Sequence, residues 1–209
     1  MSGDASLFIS PPDKMLRLLQ RRLPHSLILF RKLQYLKRTR SDSPIPEIIF
    51  TSNGGNFNED ETSPDPEAFT VAYMNTSGRA STAMYIYSTL EDGRDDGVSE
   101  QEYERQLGVI TREAMQLRQT LQRDQGKAVP EVVVLGALNT STGRVLEKSG
   151  RLKGRPSSIY DNWILEIEKV PKLSYDLQDG MFWDTATLDD CRVVASRTDI
   201  PRPPFVPSI

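Results

Sequence analysis

The chain has 209 residues, 37% hydrophobic and 26% charged, with a formal net charge of −3, a composition that allows a buried core. Its one histidine, His25, and one cysteine, Cys191, rule out a multi-histidine or Cys/His-clustered metal site and an internal disulfide, and they make a reducing, cytoplasmic setting the expectation. No run of about 18 apolar residues suggests a membrane span, and the start Met-Ser-Gly-Asp-Ala-Ser lacks the pattern of a secretory signal.

Residues 1–12 read as a disordered leader as far as Pro11-Pro12. Asp13 is the expected N-cap of a helix to about Leu23, where Pro24 interrupts. Pro24 then suits the first turn of a second helix to about Lys37. Leu16, Leu19, Leu23, Leu29, Leu33 and Leu36 recur at helical spacing and are expected to face a core. Between Asp13 and Arg40 lie nine basic residues against that one acid. The segment therefore carries about +8 and leaves about −11 for the rest, an asymmetry that can mark an anionic partner. Arg17, Arg21, Arg22, Arg38 and Arg40 are the candidate partner-binding residues. The plainer alternative is two amphipathic helices with solvated basic faces.

After a linker at 41–46, Glu47 to Thr51 reads as a short strand, and 53–66 as an acidic, Gly- and Pro-containing loop. Phe69 to Tyr73 and Ala83 to Tyr87 carry β signal and form an expected hairpin across Ser77-Gly78. An acidic loop from Glu91 to Gly97 leads to the clearest helix. Ser99 and Glu102 have capping-box spacing, and Tyr103, Leu107, Ile110, Ala114, Leu117 and Leu121 make one apolar stripe. Pro130 to Gly150 is read as the centre of the fold: Val132 to Leu135 as a strand buried on both faces, Asn139 to Thr142 as caps, and a short helix ending at Gly150. Another strand is expected over Asn162 to Glu168, a linker over 171–180, and a strand with a helix entry from Met181. The expected class is α/β (α+β), a mixed central sheet flanked by helices.

Residues with chemistry to offer are few. Gly136 to Gly143 lacks the spacing and the Lys-Ser/Thr pair of a triphosphate loop. Arg151-Leu-Lys-Gly154-Arg-Pro follows a helix instead of opening one, and Pro156 removes an amide. His25 is expected at the surface or half-buried, and Cys191 is expected to pack on an apolar helix face. No catalytic residue and no metal ligand is assigned. Tyr73, Tyr85 and Tyr87 are expected to pack on the sheet, and Trp163 and Trp183 in a core. The basic helices lack a groove-reading element or aromatic platform, so no nucleic acid is expected as partner.

The order of elements resembles a degenerate GNAT acyltransferase unit. Met15 to Leu27, a leucine-rich helix running into Leu-Pro-His-Ser-Leu, is similar to the opening of the glycine N-acyltransferase family. Met181-Phe-Trp-Asp-Thr-Ala-Thr-Leu-Asp-Asp190 resembles the entry of a catalytic GNAT domain. The whole is similar to fungal proteins of that family, in which a non-catalytic N-terminal domain precedes the catalytic one. The resemblance implies a non-catalytic domain over 13–170 and the start of a truncated catalytic domain over 181–209. It also implies acyl-CoA (acetyl-CoA) as the cosubstrate of the full-length family and the missing catalytic half as a partner. In such a unit the coenzyme diphosphate loop would lie between Tyr87 and Glu102. Here that stretch holds Glu91, Asp92, Asp95 and Asp96, so no coenzyme is expected to bind this chain and no transfer to occur by it alone.

Overall fold

Phe69–Asn75 is the middle strand of a five-stranded sheet, and its alternation explains the layers on either side. Phe69, Val71 and Tyr73 belong to one apolar cluster, Ala72 and Met74 to another, because successive side chains of a strand point to opposite faces. The computed structural model describes residues 4–39, 46–55, 57–60, 62–75, 82–93, 98–125 and 133–152, together with Thr187, Asp189 and Val193. The chain divides into two units, Met1–Asn162 and Trp163–Ile209. All the elements below lie in the first.

In chain order these are β1 (Ser6–Phe8), α1 (Asp13–Gln20), α2 (Leu27–Thr39), β2 (Ile48–Ser52), β3 (Phe69–Asn75), β4 (Thr82–Ser88), a 3-10 turn (Thr89–Asp92), α3 (Glu100–Gln125), β5 (Val133–Leu135) and α4 (Thr140–Lys148). The sheet order is β1-β2-β3-β4-β5; the first four strands are antiparallel neighbours, and β5 runs parallel to β4 across the α3 crossover. Helices α1 and α2 cover one face with Met15, Leu18, Leu19, Leu29 and Leu33 against Ile48, Phe50 and Phe69. Helices α3 and α4 cover the other with Leu107, Ile110, Ala114, Val145 and Leu146 against Ile49, Met84 and Ile86. The result is an α+β sheet between two helical layers.

The stripe expected on α3 is buried throughout, from Tyr103 to Leu121. Each large side chain so buried contributes roughly 1.5–3 kcal/mol before conformational entropy is charged against it. The β3–β4 hairpin pairs antiparallel, Tyr73 opposite Tyr85 and Val71 opposite Tyr87; its turn lies outside the described residues. Asn139 caps α4 as expected, accepting from the Ser141 amide at 2.8 Å, and Gly150 after the helix has φ +70°.

Four expectations are corrected. The leader holds a strand: Ser6–Phe8 pairs with β2, the Asp4 carbonyl accepts from Thr51, Ser6 Oγ accepts from the Phe57 amide, and Phe8 meets Phe57 edge-on at 5.4 Å. Three residues are too few for a period to declare itself, and it is the free edge of β2 that makes the strand.

β5 is not a central strand buried on both faces. It lies at the edge of the sheet among the described residues, half-exposed, with Val134 49% exposed. The all-apolar run marks a strand but leaves its neighbours unspecified, and β3, flanked on both sides, occupies the centre.

Asp13 is the first helical residue of α1, not its cap. Pro12 occupies the N-cap without a side-chain bond, and the Asp13 carboxylate holds Lys37 of α2. That bond keeps the Asp13 carboxyl below the usual carboxylate range. Helix α1 ends at Gln20, short of Leu23, and α2 begins at Leu27. In the connection Leu23 is 42% exposed, while Met15 and Leu18 join the core beside a partly buried Leu16. The Leu23–Pro24 peptide is cis.

Candidate functional site

The chain leaves β4 through a turn that folds its acids inward. Ser88 and Glu91 form a reciprocal capping box: Ser88 Oγ accepts from the Leu90 amide at 3.4 Å, and Glu91 Oε1 accepts from the Ser88 amide at 3.3 Å. Gly93, at φ +63°, ends the turn in the left-handed region that glycine tolerates. Glu91 is buried, and its Oε1 also accepts from Thr142 Oγ1 of α4 at 2.9 Å. Burial pushes the Glu91 carboxyl up to about 8, against the two hydrogen bonds, which favour the ionised form.

Asp92 is equally engaged. Its Oδ1 accepts from Tyr87 OH at 2.8 Å and its Oδ2 from Arg22 Nη1 at 3.0 Å. The Arg22 guanidinium also lies 5.9 Å from the centre of the Phe69 ring. Burial, followed by the bond to Asp92, drives the Tyr87 phenol well above its ordinary range. The expectation that Glu91 and Asp92 would face a bound diphosphate is therefore corrected: both are consumed by internal partners. Asp95 and Asp96 lie outside the described residues.

Beside this turn runs a buried polar line that the sequence did not announce. Gln106 is fully buried, accepting from Thr70 Oγ1 at 2.8 Å and donating to Glu102 Oε1 at 2.9 Å and the Ala68 carbonyl at 3.3 Å. Thr70 Oγ1 is hydrogen-bonded to Ser88 Oγ at 3.1 Å, and Thr89 Oγ1 lies 3.3 Å from Tyr103 OH. The one signal available in the sequence was position. Gln106 follows Tyr103 by three residues and Glu102 by four, so it shares their helix face.

The start of α3 carries two carboxylates, Glu100 and Glu102. Ser99 Oγ accepts from the Glu102 amide at 3.3 Å. The other half of the expected box is not made, because the Glu102 carboxylate takes Arg105 (2.7 and 2.8 Å) and Gln106 instead, and these bonds hold its carboxyl low. Glu100 holds Lys148 of α4 at 2.9 Å. Two carboxylates in the first turn complement the helix dipole. Where β4 and β5 part, the last ladder bond is Gly136 N–H to the Met84 carbonyl at 2.9 Å. The Tyr85 ring lies flush on Gly136, so a Cβ there would stand 2.6 Å from Tyr85 Cε1.

The basic candidates are scattered. Arg17 and Arg38 are exposed, Arg21 is ion-paired with Asp65, Arg22 is turned inward to Asp92, and Arg40 lies outside the described residues. His25 is exposed. Arg151 lies over α3, its Nη2 3.3 Å from where a Gly108 Cβ would stand. Cys191, Trp163, Trp183 and Gly154 lie outside the described residues, as do the expected strand at 162–168, the linker at 171–180 and most of 181–209. Among the described residues no helix is long and apolar enough to cross a membrane, and no three His, Cys, Asp or Glu side chains are grouped to hold a metal.

The family model for the acyl-CoA N-acyltransferase verG N-terminal domain matches residues 5–163. The chain belongs to this family. The matched span coincides with the first compact unit, Met1–Asn162, and it takes in β1. Neither the curated proteins nor the solved structures searched contain a match. For the verG-type N-terminal domain, acyl-CoA is the cosubstrate that the family implies for the full-length protein.

Proposed function

We propose that this verG-type domain is a non-catalytic part of an acyl-CoA-dependent N-acyltransferase, and that the 209-residue chain alone neither binds acetyl-CoA nor transfers its acyl group. The observation that carries this reading is the first turn of α3, where Glu100 and Glu102 stand at the helix start that a diphosphate would need. Before solvent screening, like charges about 5 Å apart repel by roughly 3 kcal/mol at an effective dielectric near 20. That exceeds the roughly 0.3–2 kcal/mol that a helix start offers an anion, and the Lys148 and Arg105 charges paired with these glutamates reduce it. The Tyr85 ring over Gly136 gives the same reading independent support, since it covers the strand end at the point where β4 and β5 diverge.

The experiment is a calorimetric titration of the chain with acetyl-CoA, paired with an acyl-transfer assay on glycine and other small amines. The expected result is no saturable heat up to about 1 mM, a level that would reveal even a weak site, and no product. Saturable micromolar binding overturns the proposal. The alternative, docking of an acidic partner on the basic helices, is narrowed by Arg22, which is turned inward to Asp92, while Arg17, Arg21 and Arg38 are exposed.

A further inference from the structure

Helix α2 contains no acid, and its core side is taken by Leu29, Phe30, Leu33 and Leu36. Arg31, Tyr35 and Arg38 follow one another at steps of four and three, which sets them in one stripe on the opposite side. Both arginines are exposed, and Tyr35 is 65% exposed. Lys32, beside Arg31, is exposed too, and its ammonium lies 4.8 Å from the centre of the Tyr85 ring. Among the described residues no carboxylate is ion-paired with Arg31, Lys32 or Arg38. Arg31 donates to a neutral group, Gln34 Oε1, at 3.2 Å. Lys37, the other cation of this helix, is held by Asp13. Glu47 is buried beside Tyr73, whose phenol is pushed up to about 12 by burial and then by that carboxylate.

The sheet extends this surface. The cluster under α1 and α2 takes side chains from β1 to β4 but none from β5. Val133 and Leu135 pack towards α3 and α4, so Val134 between them faces the α2 side, where it is 49% exposed. A helix face with cations unmatched among the described residues and one open aromatic ring, next to uncovered apolar sheet, complements an acidic chain with an apolar anchor. Tyrosine and arginine are the side chains that interfaces favour. Single-stranded nucleic acid fits less well, because it stacks successive bases on several rings. The Tyr85 ring has Lys32 on it and lies flush on Gly136, which leaves Tyr35 as the open ring. A bilayer fits less well too, since α2 uses its apolar side in the core and has none to bury in lipid.

We propose that the outer face of α2 docks an acidic peptide segment of a partner protein, its carboxylates meeting Arg31, Lys32 and Arg38 and an apolar side chain lying against the Tyr35 ring. This rests on the acidic-partner alternative given above and moves its site to α2; it stands apart from the acetyl-CoA result.

The test is fluorescence anisotropy of a labelled short peptide of Glu and Asp with one central phenylalanine, titrated with the full chain at constant ionic strength. Oligo-uridine RNA and phosphatidylserine vesicles are compared with it. The variants are Tyr35→Ala, the double variant Arg31→Gln/Arg38→Gln, and Arg21→Gln on α1. All of them replace exposed side chains, and melting temperatures check that each keeps the fold. The expected result is saturable peptide binding, weakened about tenfold by Tyr35→Ala and by the double variant, the scale of one aromatic contact or two exposed ion pairs, and unchanged in Arg21→Gln. Binding that is lost in Arg21→Gln and kept in the other two leaves an acidic partner on α1 and overturns the α2 surface. No saturable binding up to about 1 mM overturns both. Equal weakening in all three variants means diffuse charge attraction and overturns the inference, as does tighter binding of the RNA or the vesicles than of the peptide.

Discussion

Glu91, in the turn after β4, and Thr142, in the first turn of α4, are joined by a 2.9 Å hydrogen bond across 51 residues of sequence. The bond pins α4 to the end of the strand that precedes the α3 crossover. Its carboxyl is raised by burial from 4.5 in its ordinary state to about 8. Between those values the folded chain holds a proton that the unfolded chain releases. Stability is therefore greatest below the unfolded value and falls as pH rises towards 8.

The first prediction follows from that sign. Thermal or urea unfolding from pH 5 to 8 loses stability on the order of 3 kcal/mol through this group. Glu91→Gln keeps an acceptor for Thr142 and Ser88 and flattens the profile. A Glu91→Gln profile with the wild-type slope assigns the loss to other groups and refutes the account.

Arg22 and Asp92 form the most enclosed ion pair among the described residues, with side chains 21% and 5% exposed. Arg22→Met leaves the Asp92 carboxylate with only the Tyr87 hydroxyl as its described partner, at a cost of about 2–3 kcal/mol. Arg21→Gln removes a pair whose arginine is 65% exposed and costs less than about 0.5 kcal/mol. Urea midpoints measure both, and equal shifts for the two variants contradict this assignment.

Two glycines separate packing from propensity. Gly136→Ala drives a methyl to 2.6 Å from the Tyr85 ring and destabilises by about 1–3 kcal/mol through overpacking. Gly143→Ala, inside α4 with its nearest neighbour Leu138 Cδ2 at 3.6 Å, stabilises by up to about 1 kcal/mol through the helix preference of alanine. Melting temperatures that move the same way in both variants refute the contrast.

Removal of residues 1–9 takes away β1, and with it the Phe8–Phe57 contact and the hydrogen bond from the Glu47 amide to the Phe8 carbonyl. Phe8→Ala alone costs about 2 kcal/mol, less than a fully buried phenylalanine because Phe8 is half-covered. Hydrogen exchange at the Glu47 amide gives a second reading: protection in the full chain and loss of protection in the shortened one. Unprotected exchange in both means that β1 is not formed in solution.

How much of this was legible in the residues depended on whether the cause was local. The α3 stripe, the Asn139 cap and the β2, β3 and β4 segments were legible because period and capping chemistry act within a few residues. Strand β1 was not, since three residues carry no period and their partner lies forty residues away. The turn at Glu91 was visible as a row of acids, yet its charge was expected to face the place of a coenzyme diphosphate. Charge in a sequence has no direction, and only Thr142 and Arg22 arriving from other elements turned those carboxylates inward.

The sequence by itself determined an α+β domain with one long amphipathic helix, no multi-histidine or Cys/His metal chemistry, and a basic N-terminal pair of helices. Tertiary structure decided which strand stands at the centre, which cations meet which carboxylates, and that the Lys14 ammonium is buried where it donates to the Asp60 and Ser63 carbonyls. The reason is physical: propensity and period are properties of neighbours along the chain, whereas burial and the pairing of charges are set by groups that meet only when the sheet and its two helical layers have closed.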